Sequence, residues 1–143
     1  METVKQIAAC VLGTVAFAVT MRAPRKSLKL IFCGSVICAT AERIITKKHS
    51  EFIACLAAML MLFLFCEITA RITKQPTTVI LTPAVIPLLP GSSIYYTMLY
   101  AIQGNGKLTT QYAKSTLYAG LGIAMGAVIG EAVIKLINAK KAE

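Results

Sequence analysis

The chain has 143 residues, of which 57% are hydrophobic and only 15% are charged. Soluble domains carry about 45–50% apolar and about 25% charged residues, so this composition argues against a soluble enzyme or a soluble binding domain. The net charge of +9 does not indicate nucleic acid, because the basic residues lie in short loops between apolar runs and no recognition motif accompanies them.

Apolar runs that alternate with short polar loops predict an all-α integral membrane protein, with a single transmembrane domain and about five apolar segments. The first run is long enough to span a bilayer and similar runs follow it, so we expect it to be retained and not cleaved as a signal peptide. The predicted segments are residues 4–21, 28–45, 52–70, 79–102 (broken near 83–91) and 112–137.

Lysine and arginine in the connecting loops predict the orientation in the cell membrane. If all five segments cross, nine basic residues lie on the side of the C-terminus and six on the side of the N-terminus. This difference favours an outside N-terminus and an inside C-terminus, and it almost disappears if the fourth segment is re-entrant.

No pattern in the sequence indicates catalysis. There is no aspartate, and no nucleotide-binding or hydrolase motif occurs. The single histidine, His49, lies in the lysine-rich loop TKKHSE, where a solvated position is the simplest interpretation. The five cysteines lie in apolar segments without CxxC spacing and are expected to be packing residues. We therefore expect no enzyme activity, no cofactor and no metal site.

The fourth segment is interrupted by Pro83, Pro87 and Pro90, and Gly91 follows directly. Each proline lacks a backbone N–H and leaves a carbonyl about one turn earlier without its helical partner. Such carbonyls are tolerated at membrane depth only where protein or a water-filled cavity meets them. Gly91 tolerates unusual dihedral angles, so the helix is expected to break here.

Two half-helices that meet at membrane depth can form a substrate site. Ser92 and Ser93 are predicted to cap a new helix from Ile94, with free N–H groups at these three residues that suit a carboxylate. A kinked helix, or a re-entrant hairpin without substrate, is the alternative. Tyr95 and Tyr96 either face the same cavity or belong to an interfacial aromatic belt, which is the interpretation favoured for Tyr100. The predicted substrate-binding residues are Pro87, Pro90, Gly91, Ser92, Ser93, Tyr95 and Tyr96.

Three glutamates lie within or near the predicted spans, namely Glu42, Glu67 and Glu131. Intramembrane carboxylates often mark proton or ion pathways, so these are candidate coupling residues. For two of them the alternative is an intrahelical ion pair, because Arg71 follows Glu67 and Lys135 follows Glu131 by four residues.

Gly122, Gly126 and Gly130 repeat every four residues in the fifth segment. Such small-residue stripes let helices approach closely. The stripe predicts a helix-packing interface, either with another helix of this chain, with a partner, or with a second copy in a homo-oligomer.

The stretch CEITARITKQPTTVILTPAVIPLLPGSSIYYTML, residues 66–99, resembles the threonine/serine exporter family, in its small YjjB-like subunit branch. The family pattern is an acidic-alanine-basic helix end, then Pro-x-Thr, then a Pro-x-x-Pro-Gly element followed by a tyrosine. The matching positions here are Glu67, Ala70, Arg71, Pro76, Thr78, Pro87, Pro90, Gly91 and Tyr95.

This resemblance implies a gradient-driven secondary exporter of small hydrophilic metabolites, either threonine and serine or a C4-dicarboxylate such as succinate. It also implies a separately encoded, larger YjjP-like membrane subunit as partner, because single-chain members carry that half before this one. The rival function is a non-transporting structural subunit that stabilises a partner membrane protein.

Overall fold

The computed structural model describes residues 2–46 and 50–139, and it contains helices but no strand within those ranges. Loop residues 47–49, which include His49, lie outside the described residues, as does the basic tail from residue 140. The helices are α1 (Glu2–Thr20), α2 (Arg25–Thr46), α3 (Glu51–Thr73), α4 (Thr77–Ala84), α5 (Gly91–Ile102) and α6 (Gly106–Ala139), with a 3-10 turn at Ile86–Leu88.

The core lies where α2, α3 and α4 meet. Small and branched apolar side chains fill it, and Ile31, Leu62 and Ile80 are fully buried. Cys38 and Cys66 are buried beside them, and all five cysteines of the chain are free thiols. Close packing of three helices therefore explains why small apolar residues are so frequent in these segments.

Helices α3 and α6 run parallel, and the glycine stripe of α6 is the surface that meets α3. A Cβ atom on Gly122 would lie 2.6 Å from the carbonyl oxygen of Phe52, and one on Gly126 would lie 2.8 Å from that of Leu56. One on Gly130 would lie 2.8 Å from the ring of Phe63. The neighbour of the stripe is thus a helix of this chain.

The chain between α3 and α6 returns along the bundle. Helix α5 packs against the first part of α6 in antiparallel fashion, with Ser93 opposite Ser115 and Tyr96 opposite Tyr112. Ser115 also contacts Glu51, the first residue of α3. Because Gly122 packs beside Phe52, the first part of α6 extends beyond the start of α3 by about 20 Å, at a rise of 1.5 Å per residue.

Helix α6 begins at Gly106, six residues before the predicted start at 112. The turn predicted from QGNGK is present at Gly104, which has a φ of +71°. Asn105 then acts as a cap, because its side-chain oxygen accepts a hydrogen bond from the N–H of Leu108 at 3.3 Å. This cap starts the helix inside what looks like a polar loop.

Two helices are long and apolar enough to cross a membrane, Glu51–Thr73 and Gly106–Ile137. A third crossing is counted if Thr77–Leu88 and Gly91–Ile102, which are bent by 48°, form one span. The apolar part of α1, Ile7–Thr20, is shorter than a full span, and α2 is not among the candidates. The described residues thus hold two or three such helices where the sequence predicts five.

Candidate functional site

The segment from Thr77 to Ile102 is not one continuous helix. Helix α4 ends at Ala84 although Pro83 lies inside it, and Pro87 belongs to the 3-10 turn that follows. Leu89 is extended, and α5 then begins with Pro90 as its N-cap. The backbone changes direction where the prolines are concentrated.

The carbonyl groups next to the break accept hydrogen bonds from nearby N–H groups. Leu89 donates to the carbonyl of Ile86 at 3.1 Å, which is the carbonyl predicted to lose its partner to Pro90. Val85, the C-cap of α4, donates to the carbonyl of Leu81 at 3.0 Å, and its N–H also faces the carbonyl of Pro83. Because the carbonyl of Ile86 has a partner in Leu89, the chemistry considered at the break is that of N–H donors.

Helix α5 starts at Gly91, three residues before the predicted start. The prediction of a free N–H donor at Ile94 is wrong, because this N–H already donates to the carbonyl of Pro90 at 3.0 Å. The N–H groups of Ser92 and Ser93 precede this first helical bond, so the helix itself provides no acceptor for them. The predicted serine cap is also wrong, since α5 has no side-chain cap.

The backbone at position 91 does not require a glycine, because its φ is not positive. Among the described glycines only Gly104 has a positive φ. No atom lies within 4 Å of a Cβ built on Gly91, so its missing side chain leaves open space. That space belongs to a cavity.

The cavity has a volume of about 440 Å³ and is bordered by α1, α2, α3, α6 and the start of α5. It brings together three kinds of group at the broken segment: the N-terminus of α5, two carboxylates and one guanidinium. A cavity of this size suits a small metabolite. Its lining includes the predicted residues Pro87, Pro90, Gly91, Ser92, Ser93 and Glu42, together with Cys10, Gly13, Arg43, Glu51 and Cys55.

Glu51 is held in place by Ser115. The Ser115 hydroxyl lies 2.8 Å from Oε1 and 2.7 Å from Oε2 of Glu51, and it donates to the carboxylate. The hydroxyl of Ser93 lies 3.3 Å from that of Ser115. A chain of polar groups thus connects the first turn of α5 to the first residue of α3.

Sequence reasoning missed Glu51, Arg43 and Ser115. Glu51 ends the sequence TKKHSE, which the sequence predicts as a loop, and Ser115 is a small polar residue in an apolar segment. A glutamate directly at the start of an apolar helix was the available signal. Only the parallel packing of α3 and α6, however, brings it opposite Ser115.

A second cavity, of about 310 Å³, lies beside α4. Its lining includes Arg22 from the loop after α1, and Thr78, Thr82 and Pro83 from α4. The broken segment thus borders one cavity through α4 and another through the 3-10 turn and α5.

Tyr95 and Tyr96 do not line the cavity at the start of α5. Tyr96 instead packs against Tyr100 and Tyr112, with ring centroids 6.1 and 5.3 Å away, and Tyr95 meets Tyr96 edge to face. This cluster joins α5 to α6 on the part of α6 that projects beyond α3.

Glu67 and Glu131 lie in ion pairs away from that cavity. Glu67 contacts Arg71 at 3.1 Å and accepts a hydrogen bond from Thr77 at 2.7 Å, which ties the end of α3 to the start of α4. Glu131 contacts Lys135 at 2.7 Å with both side chains largely exposed. Of the three predicted coupling residues, Glu42 alone lines the cavity.

No group of three or more His, Cys or Glu side chains that could hold a metal occurs within residues 2–46 and 50–139. The lining of the cavity at the start of α5 offers hydrogen-bond donors, two negative charges and one positive charge. Such an arrangement can bind a small polar molecule that carries both signs of charge.

No curated protein and no solved structure matches this chain. A family model does match the chain. Its description is "Threonine/Serine exporter, ThrE", and it covers residues 6–133. This match confirms the resemblance drawn from the proline-rich motif, and the family is one of transporters and not of enzymes. The apolar helices agree with a location in a membrane. This chain therefore belongs to the threonine/serine exporter (ThrE) family.

Proposed function

We propose that this chain exports a small amino acid across the cell membrane and that the cavity at the start of α5 is its substrate site. One observation carries the proposal. In that cavity the first turn of α5, at Ser92 and Ser93, faces the same space as Glu42, Arg43 and Glu51. Free N–H groups at a helix N-terminus favour a carboxylate, and glutamate carboxylates favour an ammonium group.

The charges of the lining favour an amino acid over a dicarboxylate such as succinate. Two carboxylates, Glu42 and Glu51, and one guanidinium, Arg43, give a net charge of −1. A dicarboxylate would add two negative charges to this space, whereas threonine or serine brings an ammonium and a carboxylate. Like charges at close range are unfavourable, so the zwitterion is the better fit.

We further propose that α4, the 3-10 turn and α5 cross the membrane as one broken span. The parallel packing of α3 and α6 supports this, because the chain that connects them has to return across the bundle. The cavity of about 310 Å³ beside α4 and the cavity of about 440 Å³ at the break are suitable parts of a transport path. The protein would then be multi-pass, with the N-terminus outside and the C-terminus inside.

A proton or ion gradient is the proposed driving force, since the chain carries no nucleotide-binding motif. The coupling group is expected among the carboxylates that face the cavity. Glu42 and Glu51 meet this condition, whereas Glu67 and Glu131 are engaged with Arg71 and Lys135 elsewhere.

A larger YjjP-like membrane subunit is the proposed partner. The projecting hairpin of α5 and α6 supports a surface for it, because α5 contains no buried residue and exposes Met98 and Ile102. Large exposed apolar surfaces mark contacts with lipid or protein. Cross-linking from cysteines at these two positions, followed by identification of the attached protein, tests the assignment.

Efflux tests the function directly. Cells with and without this chain are loaded with labelled threonine, serine or succinate, and the initial rate of release is measured. We expect the chain to accelerate the release of threonine and serine and to leave succinate unchanged. Equal release from both kinds of cell for all three compounds would contradict the proposal.

A further inference from the structure

We propose that Glu51 is the specificity-determining and coupling residue of the cavity at the start of α5. Its carboxylate holds the ammonium group of the exported amino acid, and a proton competes with that ammonium for the same oxygens. Ser115 is the positioning residue that orients this carboxylate. The inference rests on the proposed function and identifies the residue that links substrate to gradient.

The hydrogen bond from Ser115 does not by itself use the full acceptor capacity of Glu51. Ser115 has one hydroxyl proton, so it donates to Oε1 or Oε2 but not to both at once. An ionised carboxylate has about four lone-pair sites. Because Glu51 also lines the cavity, a donor in that space can use the sites that Ser115 does not.

The surroundings of Glu51 favour a cation there. Glu42 on α2 adds a second carboxylate to the same cavity, and Arg43 beside it supplies one positive charge. Two carboxylates in one space lower their repulsion by binding a proton or another cation. Among the described residues, the other titratable or hydroxyl groups that line this cavity or contact Glu51 are Cys10 on α1, Cys55 on α3, Ser92 and Ser93 on α5, and Ser115 on α6. Ser50 and Tyr118 line a neighbouring cavity together with Glu51.

Competition at one carboxylate provides coupling. A protonated Glu51 has no charge to offer an ammonium group, and an ammonium bound to Glu51 disfavours its protonation. By linkage, each ligand lowers the affinity for the other by the same factor. Exchange of one for the other across the membrane would drive export with the proton gradient.

Glu42 lines the same cavity but is not the carboxylate that Ser115 contacts, so Glu51 is the one whose orientation that contact fixes. The other two candidate glutamates lie away from the cavity. Glu131 is 59% exposed and paired with Lys135 at the far end of α6. Glu67 uses one oxygen for Arg71 and the other for Thr77, and it lies outside the lining of the cavity. Neither carboxylate lies near the start of α5.

The test uses the full chain in membranes, with the five native cysteines replaced and Ser92→Cys as a reporter. A membrane-impermeant maleimide labels Ser92→Cys, and the ligand concentration that halves the labelling rate measures binding. The probes are threonine and 3-hydroxybutyrate, which is threonine without its amino group. At each pH from about 5 to about 8, the labelling rate with ligand is compared with the labelling rate without ligand, because thiol reactivity itself depends on pH.

With Glu51 present, we expect threonine to protect at least about tenfold better than 3-hydroxybutyrate, since the ammonium forms a charge-assisted hydrogen bond. The half-protecting threonine concentration should rise as the pH falls. Glu51→Gln should remove both the preference and the pH dependence. Glu131→Gln is the matched control and should change neither.

Ser115→Ala should raise the half-protecting threonine concentration by about threefold to tenfold and keep its pH dependence, and Ser115→Thr should restore the affinity. If Glu51→Gln does not reach the membrane, Glu51→Asp replaces it. Glu51→Asp should weaken protection and keep the pH dependence.

Two outcomes separate the claims. If threonine gives no protection at any pH in the parent chain, the substrate site itself is wrong, and Glu51 loses its role with it. If threonine protects the parent chain and Glu51→Gln keeps both the preference and the pH response, the site stands and the role of Glu51 is overturned. Loss of pH dependence in Glu51→Asp would overturn it as well.

Discussion

The Ser115 hydroxyl on α6 lies within 2.8 Å of both carboxylate oxygens of Glu51 on α3, a residue 64 positions earlier in the chain. This contact fastens the first turn of α3 to α6 beside the cavity. At this contact the packing of the two parallel helices and the proposed substrate chemistry depend on the same pair of residues.

Ser115→Ala should lower the free energy of unfolding by about 1–3 kcal/mol, because a hydrogen bond to a charged acceptor is lost. Thermal unfolding of the detergent-solubilised chain measures the change. Thr110→Ala is the control, since the Thr110 hydroxyl is exposed and bonds only to the carbonyl of Gly106 in its own helix. Equal effects of both substitutions would show that the contact with Glu51 adds nothing to stability.

Gly91→Val should leave folding intact and slow threonine efflux by at least about tenfold, because overlap with a ligand costs about 1–3 kcal/mol or more. Gly91 has no positive φ, and no atom lies within 4 Å of a Cβ built on it, so the new side chain extends into the space of the cavity. Gly120→Val is the control, since Gly120 is equally open and lies outside the lining of the cavity. Normal efflux by Gly91→Val would remove the start of α5 from the substrate site.

Gly126→Leu should destabilise the fold by about 1–3 kcal/mol or more, because its side chain would overlap α3. A Cβ alone would lie 2.8 Å from both the carbonyl oxygen of Leu56 and the Cβ of Met59. The expected result is a lower unfolding temperature and less protein in the membrane. Gly120→Leu, on an open face of the same helix, should have little effect. An unchanged unfolding temperature for Gly126→Leu would contradict the close contact with α3.

Glu67→Gln should reduce stability and leave the pH dependence of efflux unchanged. Its carboxylate joins Arg71 and Thr77 at the junction of α3 and α4, so the loss of its charge weakens that junction by about 1 kcal/mol. Glu131→Gln should leave stability, efflux and the pH response unaltered, since its pair with Lys135 is exposed. Efflux that loses its pH response in either variant would assign the coupling role to that glutamate.

The first and last residues of the helices were predicted to within a few positions where a long apolar run forms the helix. Helix α3 extends from Glu51 to Thr73 where 52–70 was predicted, and α2 from Arg25 to Thr46 where 28–45 was predicted. Run length is a local property, so the sequence shows it directly. The larger errors, at the starts of α5 and α6, arise from caps that involve one or two residues at Pro90 and Asn105.

By itself the sequence determined that the chain is helical and apolar, that its fourth segment contains the prolines of an exporter family, and that two glutamates have basic residues one turn away. All of these follow from neighbours within about four residues, at which distance helix geometry alone specifies the contact. The ion pairs of Glu67 and Glu131 are present for that reason.

Only the tertiary structure decided which acid faces the break and which helix covers the glycine stripe. Glu51 and Ser115 are 64 residues apart, and the parallel direction of α3 and α6 brings them together. A stripe of small residues specifies that some backbone approaches closely but carries no information on which one. The identity of that neighbour depends on how the helices pack together in three dimensions, which no local pattern encodes.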